Sequence, residues 1–252
     1  MEMLGIVTVL SLGLSTVNKE SVSSPINIHP YIVIEKDDRN IIKDTTISPY
    51  QSIVKIKTFF EDNYIECTGS VISKNTVLTA AHCVYSGQKE TPENINIIPA
   101  QNNEKKPFGT YTTNVFHIPS KYKQDFDYNY DIALINVNSL YNNKMIGENV
   151  QPLRIKKLKD YKGMDIKTIG YPTDKEAQFG VTQWQHSGQS INQFENKFGY
   201  QLDTASGQSG APILDSYNQI IGVHTTGNTE KNINYATQIN KEIYKWIKHT
   251  NK

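Results

Sequence analysis

Short apolar runs recur along most of the chain, and segments rich in turn-forming residues separate them. Many runs contain β-branched residues, and no regular helical pattern lies between them, so the spacing predicts the strands of a β-sandwich or β-barrel. The exception is the C-terminal segment 238–249, where apolar side chains repeat at helical spacing and predict a helix. The predicted strands are residues 52–60, 70–81, 114–118, 131–137, 165–171, 211–226 and 235–239.

The first 31 residues have a different pattern. Residues 4–14 form an uncharged apolar run that is short for a membrane span, and residues 17–31 are polar with two prolines. This pattern predicts a secretory signal followed by a removable pro-segment, with a buried strand or a misplaced start codon as the alternative. No other run approaches membrane length, so we expect a soluble, secreted mature protein with no stable membrane association.

Composition narrows the classes of partner. The 26 Lys and Arg residues nearly balance the 25 Asp and Glu residues, and only Arg39 and Arg154 are arginine, which argues against nucleic acid as a partner. Cys67 and Cys83 are too few for a disulfide scaffold or a cysteine-only zinc site, but they could form one disulfide in an oxidising compartment. The absence of HExxH, of metal-spaced carboxylates and of a phosphate-binding glycine loop predicts no metal or other cofactor.

Three segments carry residues suited to nucleophilic catalysis. His82 follows a predicted strand, Asp131 begins another, and Ser209 lies in a glycine-flanked turn, with separations of 49 and 78 residues. A serine hydroxyl needs a neutral imidazole to take its proton, and an acid can fix the imidazole tautomer and stabilise the imidazolium. Each residue alone is more often structural, but together they predict a Ser-His-Asp triad. Gly207 permits a tight turn that aims the amides of Gly207 and Ser209 at a developing oxyanion.

These motifs resemble the chymotrypsin-fold serine proteases, and most closely the bacterial glutamyl endopeptidases of the staphylococcal V8 and Bacillus type. The resemblance extends from about Ile32 to Trp246 and implies an all-β fold of two six-stranded antiparallel β-barrels with a C-terminal α-helix. His82 and Asp131 would come from the first barrel and Ser209 from the second. The segments that carry the resemblance are VIEKDDRNIIKDTT (33–46), CTGSVISKNTVLTAAHCV (67–84), DIALI (131–135), GYPTDK (170–175), LDTASGQSGAPIL (202–214) and IGVHTTG (221–227).

The same resemblance divides the chain into four parts. They are a signal and pro-segment over 1–31, a first barrel with an N-terminal arm over 32–153, a second barrel over 154–237 and the helix over 238–252. It also pairs Cys67 with Cys83 across the hairpin that carries His82, where closing a loop of about 15 residues contributes about 3 kcal/mol. Two free buried thiols are the alternative.

Two neighbouring residues give opposite indications of specificity. Thr204 and His224 match the glutamyl endopeptidase pocket, in which a hydroxyl and an imidazole receive the substrate carboxylate, and we assign Thr225 to the same pocket. Asp203 instead lies where trypsin-like enzymes place the acid that selects Lys and Arg. Adjacent residues of an extended segment face opposite ways, so Asp203 and Thr204 are not expected to serve the pocket equally. We expect cleavage after glutamate; a structural role for His224 stays open.

Activation can be inferred from the residue before the serine. In chymotrypsin-like zymogens an aspartate there pairs with the new N-terminus, but this chain has Gln208. In V8-type enzymes the new terminus instead approaches the specificity pocket, and the alignment puts it near Ile32 or Val33. We therefore expect removal of residues 1–31 and a substrate-binding role for Ile32. The Tyr31–Ile32 bond is not a glutamyl site, so another protease is implied as a processing partner.

The sequence thus predicts a secreted, monomeric serine endopeptidase that acts on protein or peptide substrates through an acyl-enzyme on Ser209. One alternative keeps the triad but has basic or narrow, toxin-like specificity. A second is a catalytically idle binding protein on a protease fold, which would be expected to show a broken triad or oxyanion turn. Because the net charge is only +1, a preference for acidic substrates must come from local groups.

Overall fold

The computed structural model describes residues 28–29, 32–87 and 91–251. Most of the signal and pro-segment predicted over 1–31 lies outside the described residues. The strands, in chain order, are β1 Ile28–His29, β2 Asn40–Ile41, β3 Ile53–Phe59, β4 Tyr64–Val71, β5 Thr76–Thr79, β6 Asn94–Pro99, β7 Tyr111–Thr113, β8 Phe116–His117, β9 Ala133–Asn136, β10 Asp165–Gly170, β11 Trp184–Phe194, β12 Lys197–Tyr200, β13 Pro212–Asp215, β14 Ile220–Asn228 and β15 Ile233–Gln238. The α-helices are α1 Ser120–Asp125, α2 Ile146–Asn149, α3 Glu176–Phe179 and α4 Lys241–Thr250.

The strands form two antiparallel units. The first is a curled half-barrel with the strand order β7-β6-β3-β4-β5-β9-β8. In the second, β10, β11, β12, β15, β14 and β13 close into a six-stranded barrel, because β14 pairs with both β13 and β15. The short strands β1 and β2 add to β14 and β11. The mostly β architecture with a terminal helix confirms the predicted fold class.

Each unit has an apolar core. Strand β3 is almost continuously buried because it lies between β4 and β6 in the half-barrel. In the closed barrel, Tyr161 stacks on Phe198 with ring centroids 4.8 Å apart, and Tyr200 packs beside them. Burying aromatic rings of this size contributes a large share of the apolar stabilisation.

Helix α4 joins the two units. Asn240 caps its start by accepting a hydrogen bond from the backbone N–H of Ile243 (2.9 Å). Ile243 and Ile247, one turn apart, bury their side chains in the core that also contains half-barrel residues. The helix predicted over 238–249 is therefore confirmed with a start three residues later. Within the described ranges, no helix has the length and apolar character needed to cross a bilayer.

Strand positions agree with the sequence where β-branched apolar residues dominate, as in β3, β5 and β9. Strands β11 and β12 were not predicted. The eleven residues of β11 are WQHSGQSINQF, and several of their side chains are exposed, so its pairing with β10 and β12 is the main reason for its extended conformation. Strand β6 was also missed, although its alternating burial is typical of a half-buried strand.

Candidate active site

His82 and Asp131 lie together at the end of two paired strands. His82 lies in a short 3-10 turn after β5, and Asp131 lies two residues before β9. Because Thr79 pairs with Ala133, the ends of these strands bring the two side chains into contact. Nδ1 of His82 is 2.7 Å from Oδ2 of Asp131, and the backbone N–H of His82 donates to Oδ1 (3.0 Å). The carboxylate therefore fixes both the imidazole and the turn that carries it.

The environment of Asp131 keeps its carboxyl ionised. The residue is fully buried, which disfavours the charged form, but the neighbouring His82, its hydrogen bonds and the cation of Lys197 hold the pKa of Asp131 below its usual value. The hydroxyl of Thr237 in the second barrel donates to the carbonyl of Asp131 (3.1 Å). Asp131 is thus tied to both β units at their interface.

A disulfide reinforces the same region. Cys67 in β4 is bonded to Cys83, the residue after His82, as the resemblance implied. The same cysteines belong to a possible metal-binding group. Among the described residues, Cys67, His82 and Cys83 are the one group whose donor atoms lie close enough together to hold an ion. The sulfurs are joined to each other and are not available as thiolate ligands, so this group does not fit a metal site.

Ser209 lies in a turn before β13 that is docked on β4. The backbone N–H of Thr68 donates to the carbonyl of Ser209 (2.8 Å), and the hydroxyl of Thr68 donates to the carbonyl of Gly207 (2.8 Å). A Cβ on Gly210 would lie 2.1 Å from Oγ1 of Thr79. This close approach brings the serine turn against the strand ends that carry His82.

Gly207 gives the turn a conformation that other residues would not adopt. Its φ is +86°, and a Cβ there would lie 2.3 Å from the carbonyl oxygen of Tyr171. The amide of Gln208 donates to the carbonyl of Ala205 (3.0 Å), whereas the amides of Gly207 and Ser209 donate to no described residue. These two amides are therefore available to an incoming oxyanion.

One contact expected of a triad is not made. Nε2 of His82 is buried and has no hydrogen-bond partner among the described residues, so the hydroxyl of Ser209 does not donate to it in this conformation. Such contacts are often long or poorly aligned without substrate. We expect bound substrate to bring the Ser209 hydroxyl within hydrogen-bond reach of Nε2 of His82.

His224 lies on β14 beside the serine turn. Its carbonyl accepts from the amide of Gly210 (2.8 Å), and its amide donates to the carbonyl of Ala211 (2.8 Å). The phenol of Tyr200 lies 2.6 Å from Nδ1 of His224, and burial raises the pKa of Tyr200 well above its usual value. A protonated phenol that donates to Nδ1 leaves the proton of a neutral imidazole on Nε2.

Thr204 contacts the start of the N-terminal arm, which we define as residues 32–39. The backbone N of Ile32 lies 3.4 Å from Oγ1 of Thr204, and the amide of Thr204 donates to the carbonyl of Ile32 (3.0 Å). The side-chain amide of Asn234 donates to the same carbonyl (2.8 Å). Ile32 is thus held at the residue that sequence analysis assigned to the specificity pocket.

Asp203 faces the N-terminal arm. Its Oδ1 accepts from the amide of Ile34 (2.7 Å), and its Oδ2 accepts from the amide of Asp38 (2.9 Å). The side chain is buried. Backbone donors of the arm thus engage both of its oxygens. Asp203 and Thr204 serve different contacts, as expected for adjacent residues in extended chain.

A buried cation that the sequence does not indicate lies next to the candidate site. Lys197 in β12 is only 6% exposed and donates to the hydroxyls of Thr225 (3.1 Å) and Thr226 (3.4 Å). Burial lowers the pKa of Lys197 to about 8, although the charges of Asp131 and Asp127 oppose this shift. A single lysine in a short strand gives no sequence signal of burial, so only the fold identifies it.

Replacing Lys197 by methionine is expected to remove a pH-dependent term from stability. An unfolded lysine keeps its proton up to about pH 10.4, so between about pH 8 and 10.4 the unfolded state binds more protons and the native state gains stability as pH rises. The stability of Lys197→Met relative to the parent should therefore fall by on the order of 3 kcal/mol as the pH rises from below 8 to above 10. Urea unfolding of both proteins in a Ser209→Ala background measures this difference, and a difference independent of pH would contradict it.

The sequence model of the Trypsin family matches residues 41–247 of this chain. Among curated proteins, an "Extracellular metalloprotease" of Bacillus subtilis (strain 168) is 28% identical over 88% of this chain and 70% of its own length. A "Glutamyl endopeptidase" of Staphylococcus epidermidis is 28% identical over 88% of this chain and 75% of its own length. A "Glutamyl endopeptidase" of Bacillus licheniformis is 31% identical over 84% of this chain and 66% of its own length.

A solved structure of a Glu endopeptidase in complex with MPD is similar to most of this chain. The two superpose with a TM-score of 0.79 at 31% sequence identity. The similarity covers 87% of this chain and 99% of that one. The overall fold described above therefore occurs in a known protein.

Proposed function

The chain belongs to the trypsin family of serine proteases, and we propose that it is a secreted endopeptidase that cleaves peptide bonds after glutamate. The observation that carries the glutamate preference is the position of the Ile32 nitrogen beside Thr204, while Asp203 is occupied by the arm. Secretion is supported by the apolar run at residues 4–14 and by a disulfide, which persists in oxidising compartments.

In the proposed mechanism, Ser209 is the nucleophile and His82 the general base. Nε2 of His82 takes the hydroxyl proton as Oγ of Ser209 attacks the substrate carbonyl, and it later donates this proton to the leaving amine. Asp131 accepts the Nδ1 proton, fixes the tautomer and stabilises the imidazolium. Water then attacks the acyl-enzyme with His82 again as base, which releases the acid product and restores Ser209.

The proposed oxyanion hole consists of the amides of Gly207 and Ser209. Each such donor contributes about 3 kcal/mol when it is fixed before the reaction, because no reorganisation is needed as charge develops. The bonds from Thr68 and the positive φ of Gly207 supply this fixed geometry.

The proposed carboxylate pocket combines Thr204, His224 and the Ile32 nitrogen. A substrate carboxylate must exchange its water for donors, since leaving it unpaired in a buried pocket would cost several kcal/mol. The Thr204 hydroxyl can donate to the carboxylate, and the imidazole of His224 is proposed to line the pocket beside it. Thr225, which is buried next to His224, is proposed to support the same wall of the pocket.

Removal of residues 1–31 is proposed to complete the pocket. Cleavage at Tyr31–Ile32 by another protease would turn the Ile32 amide into an ammonium 3.4 Å from Oγ1 of Thr204. It would also release β1, whose residues pair with Asn228 and Gly227 close to His224 on β14. N-terminal sequencing of the active secreted protein tests this step, and a start far from Ile32 would overturn it.

The specificity experiment compares matched peptides that carry Glu, Asp, Arg or Phe at the cleaved position. We expect the highest kcat/KM for the Glu peptide. Thr204→Val should lower that value by roughly 10- to 100-fold, because a hydrogen bond to a charged group contributes about 1.5 to 3 kcal/mol. The Phe peptide serves as the matched control, and its kcat/KM should change little.

Each contrary result has a definite meaning. Cleavage after Arg in preference to Glu would overturn the pocket assignment, and loss of that cleavage in Asp203→Asn would assign basic specificity to Asp203. Absence of hydrolysis of every peptide by protein that starts at Ile32 would favour a catalytically idle binding protein.

A further inference from the structure

The N-terminal arm reaches the residue next to Ser209 through a buried arginine. The side chain of Arg39 is fully buried, and its Nη1 donates to Oε1 of Gln208 (3.1 Å). Gln208 lies between Gly207 and Ser209, whose amides form the proposed oxyanion hole. The contact joins positions 169 residues apart in sequence.

The amide side chain of Gln208 links the arginine to the backbone of the turn. Its Oε1 also accepts from the backbone N–H of Ala205 (2.9 Å), and the residue is fully buried. The backbone N–H of Gln208 donates to the carbonyl of Ala205 (3.0 Å). Oε1 of Gln208 therefore accepts from Arg39 and from Ala205 at once. Arg39 is in this way connected to both ends of the turn between Ala205 and Ser209.

The charges around Arg39 explain why the residue at 208 is neutral. Arg39 pairs with Asp37 (2.8 Å) and Asp174 (2.5 Å), and Lys175 pairs with Asp37 (2.5 Å). Two cations are thus balanced by two carboxylates, and a carboxylate at position 208 would add an uncompensated charge. Hydrogen bonding from Arg39 holds the pKa of Asp37 well below its usual range, so this carboxyl stays charged.

The arm also fixes the position of Arg39. Asp203 accepts from the amides of Ile34 and Asp38, so the residue directly before Arg39 is attached to the segment that leads into the serine turn. The bonds to Asp203 and the bond from Arg39 to Gln208 both attach the arm to residues 203–208. The arm and the serine turn are therefore ordered by the same contacts.

We propose that Arg39 is a positioning residue for catalysis, which through Gln208 holds the amides of Gly207 and Ser209 in the orientation that binds the oxyanion. The inference rests on the proposed roles of Ser209 and Gly207. Arg39 touches neither substrate nor reacting atoms. Its effect is to keep the turn between Ala205 and Ser209 in one conformation before substrate arrives.

A double-mutant cycle with Arg39→Met, Gln208→Met and both together tests the proposal on processed protein. Each single variant should lower kcat for a Glu peptide by about 10- to 100-fold with little change in KM, because the hole acts in the transition state. The double variant should be no slower than Gln208→Met alone, since that substitution already removes the Arg39 contact together with the bond from the Ala205 amide. Arg154→Met, at an exposed site, is the matched control and should keep the parent kcat.

An inhibitor pair separates positioning from a general loss of structure. A peptide aldehyde ending in glutamate forms a tetrahedral oxyanion on Ser209, whereas the matching peptide acid does not form that adduct. We expect the aldehyde inhibition constant to rise about as much as kcat falls, and that of the acid to stay within twofold. Titration with a phosphonate that reacts with Ser209 counts the folded active sites in each sample. Each kcat is then calculated per folded active site.

Several results would overturn the proposal. One is that both single variants keep the kcat and the aldehyde inhibition constant of the parent. Another is that a variant binds the aldehyde and the acid more weakly by the same factor. A third is that the effects of the two substitutions on kcat add in the double variant. If Arg39→Met does not fold, Arg39→Lys decides, because it keeps a cation beside Asp37 and Asp174 and loses the guanidinium nitrogen that donates to Gln208. A parent that hydrolyses no peptide would instead refute the proposed function.

Discussion

Replacing Ser209 by alanine is expected to lower kcat/KM for a Glu peptide by about 10⁶-fold, the scale seen when the nucleophile of a triad is removed. The turn should survive, because its contacts to Thr68 use the carbonyls of Gly207 and Ser209 and not the serine hydroxyl. Residual hydrolysis would come from the oxyanion hole and from substrate binding.

The measurement is hydrolysis of the Glu peptide by Ser209→Ala and by a serine variant outside the site. Ser216→Ala is the matched control, because Ser216 is exposed in the turn that follows β13, and it should keep the parent rate. The thermal midpoints of all three proteins should agree within a few degrees. More than one-thousandth of the parent kcat/KM in folded Ser209→Ala would rule out Ser209 as the nucleophile.

Asp131→Asn is expected to lower kcat by about 10⁴-fold. Oδ2 of Asp131 lies 2.7 Å from Nδ1 of His82, so an amide that turns its NH₂ toward the ring would favour the tautomer with the proton on Nε2. That tautomer cannot accept the proton of Ser209. The neutral amide would also no longer stabilise the imidazolium that forms during attack.

Asp125→Asn is the control for this substitution. Asp125 is exposed at the end of α1, close in sequence to Asp131, and its change should leave kcat within twofold of the parent. Single-turnover kinetics with a Glu peptide measures the acylation step directly. A loss of less than tenfold in Asp131→Asn would mean that His82 is oriented by another group.

The sequence predicted the parts of the site that depend on short motifs. His82, Asp131 and Ser209 each lie at the end of a strand or in a glycine turn, where neighbouring residues fix the backbone, and the pairing of β5 with β9 then places two of them in contact. Strands rich in β-branched residues were found for the same reason. Their conformation agrees with their local preference.

The contacts that were missed are long-range. The role of Asp203 depends on amides 165 and 169 residues away, and no local pattern distinguishes an acid that holds the arm from one that selects a substrate. Gln208 could be recognised as an uncharged replacement before the serine, but its partner Arg39 lies in a segment with no strand or helix signal. The burial of Lys197 likewise depends on the pairing of β12 with β15, which brings the lysine within reach of Thr225 on β14.

The unmade contact between Ser209 and His82 has a related cause. Backbone hydrogen bonds and the disulfide hold both loops, but the orientation of one serine hydroxyl depends on the group that it attacks. The fold thus holds the His82–Asp131 pair and the proposed oxyanion amides in place in advance. Substrate is expected to draw the hydroxyl toward Nε2.

Trapping of the acyl-enzyme would identify the nucleophile of this protease. Protein that starts at Ile32 is mixed with a peptide p-nitrophenyl ester ending in glutamate, quenched in acid during the first turnover, digested and analysed by mass spectrometry. We predict that the peptide acyl group is attached to Oγ of Ser209 in nearly stoichiometric amount, and that no adduct forms in Ser209→Ala. Steady hydrolysis without an adduct on Ser209, or an adduct on another residue, would show that Ser209 is not the nucleophile.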